Sequence, residues 1–281
     1  MNMGVTIIAC VILFFFGAAV YSFLNVVIFR VPRGEEFIRT RSHCPGCGRV
    51  LTPLELIPVV SYICLGGKCK NCGSKIGLRD VSIEIFGGLS AIAAALYFVA
   101  PVAGTMYFPG SILQGWLGYY DFMMLFYGAL AEGATVFALI GILTVICFIN
   151  LDTGKVKTGT LIALAVIGAI GLFTMYKISI PDRLIGAACG LLPFLLLGLL
   201  TKNRNLSSTG VILAVIGCVS GWKSLAVVAM LAVVLGALWA IVLLLTGNKK
   251  LEGRFRLIPV ICLAVAIGFF ATDWLTGMLI L

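Results

Sequence analysis

His43-Cys44-Pro45-Gly46-Cys47, followed after twenty-one residues by Cys69-Lys70-Asn71-Cys72, is the stretch on which the reading of this chain turns. Two Cys-x-x-Cys pairs at this separation can set four thiolate sulfurs around one metal ion as a tetrahedron, because each short knuckle presents two sulfurs from one tight turn. The pattern is that of a zinc ribbon, with Cys44, Cys47, Cys69 and Cys72 as ligands. Four thiolates close the coordination sphere and leave no position for water, so the expected role of the zinc is structural. His43, the only histidine, precedes the first knuckle and reads as a loop residue, since four sulfurs already suffice. Nine Lys or Arg residues stand between Arg30 and Arg79, and long apolar segments flank this polar island on both sides.

Those flanks set the class of the protein. With 61% hydrophobic residues, 11% charged and a mean hydropathy of +1.15, the chain lies far from soluble domains, in which about 25% of residues are charged. It reads as an all-α polytopic membrane protein. The first apolar run, Val5 to Ile28, has no early basic region and ends at Phe29-Arg30-Val31-Pro32 rather than at a small-residue cleavage site, so it reads as a retained helix and not a signal peptide. The six cysteines outside the paired four (Cys10, Cys64, Cys147, Cys189, Cys218 and Cys262) fall mostly in apolar runs and read as small buried hydrophobes.

Segments apolar enough to cross a core of roughly 30 Å fall at about 4–29, 82–103, 123–149, 158–176, 182–200, 208–222, 223–246 and 257–279. This predicts eight spans, the sixth short and divided from the seventh at Gly221-Trp222-Lys223. With the N-terminus outside, seventeen of the twenty basic residues fall in inside loops, and only Lys177, Arg183 and Lys223 lie outside. Lys and Arg accumulate on the cytoplasmic side of membranes, so the cysteine module is placed in the cytoplasm, where thiols stay reduced and bind metal. The expected organisation is a first helix (1–29), a cytoplasmic zinc-binding module of four cysteines (30–81), a second helix with an outer loop (82–122), and a six-helix membrane domain (123–281). The basic loop is expected against anionic lipid headgroups. It carries only two aromatic residues, Phe37 and Tyr62, so nucleic acid is not an expected partner.

Many glycines lie within spans, among them Gly87-Gly88, Gly186, Gly190 and Gly217, as expected where membrane helices approach closely. The outer loop at 104–122, with Tyr107, Trp116, Tyr119 and Tyr120, reads as an interfacial aromatic belt. Glu84, Glu132 and Asp273 stand at membrane depth, with Asp152 and Asp182 near span ends; each is a functional candidate, because an unpaired charge in hydrocarbon costs several kcal/mol. Asp273 has the simpler reading of reaching water at the outer end of the last span.

The order of these features resembles the type IV prepilin peptidases, membrane enzymes that cut the leader from prepilins and methylate the new N-terminus. The resemblance is carried by Ser22-Phe23-Leu24-Asn25-Val26-Val27-Ile28-Phe29-Arg30-Val31-Pro32, by Cys44-Pro45-Gly46-Cys47, by Glu55-Leu56-Ile57-Pro58-Val59-Val60-Ser61-Tyr62, by Gly67-Lys68-Cys69-Lys70-Asn71-Cys72, and by Arg79 followed by Glu84. Weaker similarity runs on through Leu184-Ile185-Gly186-Ala187 and Ile216-Gly217-Cys218-Val219-Ser220-Gly221-Trp222. It implies a bacterial inner-membrane location, prepilin or pseudopilin leaders as partners, and S-adenosylmethionine as methyl donor in the N-terminal region. It also implies an aspartic peptidase of the Gly-x-Gly-Asp type, in which one carboxylate takes a proton from the attacking water while a second, protonated, donates to the carbonyl oxygen.

Both aspartate slots depart from that pattern. Phe148-Ile149-Asn150-Leu151-Asp152 places Asn150 in the first, and alignment back from Ile216-Gly217 and Gly221-Trp222 places Ser207-Ser208-Thr209, hence Thr209, in the second. Val211 stands where a lysine is usual. An amide or an alcohol does not take over a carboxylate's proton traffic near neutral pH. Asp152 lies about 200° around a helix from Asn150 and could act as a surrogate only if the helix has already ended. Three functions compete: a family member impaired as a peptidase that keeps leader binding or methyl transfer, an active leader peptidase with unusual residues, and a membrane scaffold with a zinc module.

Overall fold

The computed structural model describes residues 3–36, 41–105, 119–175, 177–246 and 257–279. The described residues are mainly helical, with turns and isolated β-bridges in the cysteine module, and divide into two compact units, Met1–Leu130 and Ala131–Leu281.

In the first unit, α1 (Met3–Arg30) leads through a single turn at Val31–Arg33 into the cysteine module. The module contains a turn at Pro53–Leu56 and the short α2 (Val60–Cys64). It returns to the apolar layer in α3 (Leu78–Ala94), which continues through a π-turn at Ala95–Val99 into Ala100–Thr105. Gly87 lets α1 and α3 touch: a Cβ there would stand 2.3 Å from the ring of Tyr21, which is fully buried. Close backbone approach through glycine is how helices associate where no water drives them together.

The second unit holds most of α4 (Tyr119–Thr153), then α5 (Thr158–Thr174), α6 (Ile180–Leu200), α7 (Arg204–Thr246) and α8 (Leu257–Leu279). The long α7 is broken at Gly221, whose φ of 80° and ψ of 172° are open to glycine alone. Its first half, 204–220, runs antiparallel to α6, and the crossing is so tight that a Cβ on Gly186 would lie 2.4 Å from the carbonyl oxygen of Gly217. The second half doubles back beside α6. It begins at Trp222, whose Nε1 donates to Asp182 at 2.8 Å, and borders one apolar cavity with α6 from Ile185 to Phe194 and with Leu257 and Ile261 of α8.

Five helical stretches are long and apolar enough to cross a membrane: Gly4–Arg33, Leu78–Val102, Met123–Thr153, Ile180–Leu200 and Arg204–Val242. Thr158–Thr174 and Leu257–Thr272 are shorter apolar helices, and with the break at Gly221 the described residues form eight apolar helical segments, as the sequence predicts. The protein is a multi-pass membrane protein. The loop residues Tyr107 and Trp116, and the side chains of Tyr119, Tyr120 and Asp273, lie outside the described residues.

The scattered cysteines depart from expectation. Cys262 is buried, but Cys64 and Cys189 are exposed and Cys10, Cys147 and Cys218 are half-buried. For those in membrane helices, an apolar side chain gains nothing by turning inward, because lipid is as apolar as the interior; Cys64 instead ends the short α2 of the cysteine module.

Candidate functional sites

The two knuckles of the first unit are built alike. In one, Cys44 N donates to Arg49 O and Gly48 N to Cys44 O; in the other, Cys69 N donates to Ser74 O and Gly73 N to Cys69 O. Each closes on a glycine of positive φ, 69° at Gly48 and 71° at Gly73, and each is flanked by a β-bridge, His43 with Val50 and Lys68 with Lys75. The repeated turn aims both sulfurs of a pair to one side, and all four sulfurs lie within 4.8 Å of one another.

Cys44 Sγ and Cys72 Sγ are 3.8 Å apart, the spacing of two sulfurs bound at about 2.3 Å to a tetrahedral centre. The set therefore fits a metal ion held by thiolates. Ser74 Oγ lies 3.5 Å from Cys44 Sγ and 3.3 Å from Cys72 Sγ. Its hydrogen bond is the first cause that lowers the Cys44 thiol to about 6, with the Gly46 and Cys47 backbone adding to it. His43 is exposed and turns its ring toward Arg41 O, away from the cluster.

Three of the loop's cations hold the module together, a role that charge counting missed. Arg30, nearly buried, donates to Glu36 O and Arg41 O. Arg79 stacks over the Phe29 ring at 5.2 Å. Arg49 pairs with Glu55 at 2.5 Å, and Thr52 donates to the same carboxylate from both its backbone and its hydroxyl. These contacts, the Arg49 hydrogen bond first, hold the Glu55 carboxyl down at about 2. The Thr52-Pro53-Leu54-Glu55 capping box was the signal that could have located this anchor.

Between α1, the knuckles and the start of α3 lies a cavity of about 280 Å³ bordered by Ser22, Asn25, Tyr62, Asp80 and Glu84. Asn25 Nδ2 donates to Asp80 Oδ1 at 2.9 Å, while Asn25 Oδ1 is buried with no hydrogen-bond partner among the described residues. Glu84 Oε2 accepts from Val59 N at 2.8 Å. Val59 has φ 64° and ψ −49°, and Val60 N reaches back to Pro58 O, a γ-turn of the strained hand that a β-branched residue rarely adopts. Glu84 thus grips a strained turn at the rim of an acceptor-rich cavity.

In the second unit, the backbone brings Asn150 and Thr209 to the same end. Gly154 N donates to Asn150 O, Asn205 Nδ2 donates to Gly154 O at 2.8 Å, and Thr209 Oγ1 donates to Asn205 O at 2.9 Å. Both side chains are buried, Asn150 at 2% and Thr209 at 1% exposure. The helix continues through Thr153, so Asp152 stands exposed on another face from Asn150. The other acidic side chains described in this unit are remote. Glu132, about 27 Å back along α4 from Asn150, is buried and paired with Lys177 at 3.2 Å, and Asp182 lies in the opening turn of α6, at the opposite end from Asn203.

A family model for the bacterial peptidase A24 N-terminal domain matches residues 15–98, the span that holds α1, the knuckles and α3. The chain is 30% identical over 244 residues to the prepilin leader peptidase/N-methyltransferase of Myxococcus xanthus. Over most of its length the chain is thus similar to prepilin leader peptidases. The match covers 85% of this chain and 64% of the Myxococcus protein, so the chain spans less than two thirds of that relative's length. Prepilin leader peptidase/N-methyltransferases of Bacillus subtilis (26% identical, 93% of this chain and 94% of the relative) and Pseudomonas aeruginosa (27%, 95% and 90%) match nearly end to end. No solved structure matches.

Proposed function

We propose that this chain is an inner-membrane protein that binds type IV prepilin or pseudopilin leaders, does not cleave them, and keeps in its N-terminal cavity the handling of a pilin amino group for methylation. The observation that carries this reading is the chemistry of Asn150 and Thr209, a buried amide and a buried alcohol at one end of the second unit. Peptide hydrolysis by paired acids needs one carboxylate to accept a proton and another to donate one. Neither an amide nor an alcohol does this near neutral pH.

The N-terminal cavity supports the retained half. Asn25 Oδ1 and the carboxylates of Asp80 and Glu84 suit a ligand rich in N–H donors and positive charge, as an amino terminus is. S-adenosylmethionine, when bound, supplies a methyl group on a cationic sulfur. Asp80 and Glu84 would orient the accepting amine and take the proton it releases. At about 280 Å³ the cavity sits just below the roughly 300–1,000 Å³ of small-molecule sites, room for the accepting amine rather than for a whole nucleoside cofactor. The four cysteines hold structural zinc in a cytoplasmic module, and the zinc fixes the knuckle wall of this cavity.

The test is to incubate membranes containing the protein with a prepilin, and separately with a pre-cleaved pilin, in the presence of S-adenosylmethionine, and to read both by mass spectrometry. The expected result is no leader removal and one added methyl group on the pre-cleaved pilin, lost in Glu84→Gln. Leader removal overturns the first half of the proposal, and an unmethylated pilin overturns the second.

A further inference from the structure

The end of the second unit that carries Asn150 and Thr209 also holds a cavity of about 710 Å³, between the α4–α5 turn and the α6–α7 turn. Its lining includes three cations, Lys155, Lys157 and Arg204, and no carboxylate. Two helices begin there. α5 starts at Thr158 with no side chain capping it, and α7 starts at Arg204, where Asn203 Oδ1 accepts from Asn205 N. The opening N–H groups of a helix carry partial positive charge, so the uncapped start of α5, with the start of α7 and three cations beside it, makes a concave and strongly positive surface. Its shape is held by the bond from Asn205 Nδ2 to Gly154 O, which ties the two turns to each other.

We propose that this cavity is a phosphate-binding site that takes the phosphate of an anionic lipid headgroup or free phosphate. Cations at the ends of membrane helices commonly reach toward headgroups along a flat interface. What separates this place from that general tendency is concavity, the convergence of two helix starts, and a volume within the range of small-molecule sites. The inference stands whether or not methyl transfer is retained, because it uses none of the N-terminal cavity.

Lys202 supplies an internal control, for it lies two residues from Arg204 in the same turn but does not line the cavity. The full chain is placed in phosphatidylcholine nanodiscs and titrated with inorganic phosphate. In parallel it is placed in nanodiscs containing a minority of phosphatidylglycerol, and the lipid retained is counted by native mass spectrometry. Saturable binding is expected, weakened about tenfold in Arg204→Gln, the loss of one charge-assisted hydrogen bond, and less than about twofold in Lys202→Gln. Lys155→Gln with Lys157→Gln should match Arg204→Gln, and thermal unfolding without added anion shows that each variant folds. Retention of phosphatidylglycerol that inorganic phosphate does not displace assigns the lipid as the source, and saturation by phosphate alone assigns the free ion. Equal weakening in Arg204→Gln and Lys202→Gln, or no saturable binding of either probe, overturns the proposal.

Discussion

The first unit and the second differ in what they keep. In the first, the cysteine module gives its key groups partners suited to them: four sulfurs converge at metal spacing, and Arg49 and Thr52 share one carboxylate. In the second, the helical frame is packed to backbone contact at Gly186 and Gly217, yet the end where the sequence resemblance would place two acids carries an amide, an alcohol and three cations. Scaffold and chemistry have separate requirements. Packing in a membrane depends on small side chains and shape, so the packing of a bundle does not depend on which polar groups stand at its mouth.

The largest expected effect lies in the first unit. Cys69→Ser with Cys72→Ser should abolish bound metal and open both knuckles to proteolysis, since structural zinc contributes folding energy on the order of 10 kcal/mol. Metal analysis and limited digestion read this, and a variant that keeps about one zinc per chain breaks the account of a four-thiolate site. Next is the frame of the second unit: Gly186→Ala forces a Cβ to 2.4 Å from a carbonyl oxygen, and should cost about 1–3 kcal/mol. Gly236→Ala, where nothing lies within 4 Å, should be near neutral in the same thermal-unfolding assay. Equal effects at the two glycines would erase the contrast between a packed frame and its open rim.

Val59→Gly sharpens the comparison from the other side. Relief of the strained turn should raise stability by about 1 kcal/mol while reducing methylation of a pre-cleaved pilin, because Glu84 then grips a looser rim. Higher stability with unchanged methylation would mean that the strain serves no purpose in the cavity. The smallest effect concerns acid. Glu55 titrates near 2 in the folded chain against 4.5 ordinarily, so its folded pKa is depressed. Its contribution to stability is present above about 4.5 and is lost as pH falls toward 2. The Tm difference between the wild type and Glu55→Gln should therefore shrink over that window, and a constant difference would remove the Arg49 anchor from the explanation.

Much of this was legible in the sequence, for reasons that separate the two units. The apolar segments announce themselves by length, and the junction read at Gly221-Trp222-Lys223 is where α7 breaks. The cysteine ligands are legible because metal geometry restricts spacing along the chain. α4, however, runs to Thr153, past the apolar limit near residue 149, because helical hydrogen bonding does not end where hydrophobicity does. The pairing of Asn25 with Asp80, the grip of Glu84 on Val59 and the carbonyls held by Arg30 depend on the folded geometry, and no local pattern encodes them. The basic cavity was invisible for the same reason: Lys155 and Arg204 read as two separate loop charges until the fold brings both into the lining of one cavity.

The corner at Gly221 has one more implication. The direction in which the remainder of the chain travels is settled at a residue whose backbone no side chain tolerates. A substitution there would leave the pairing of 204–220 with α6 intact and misdirect the segments beyond it, so that the C-terminal helices would be made and inserted yet never meet their neighbours.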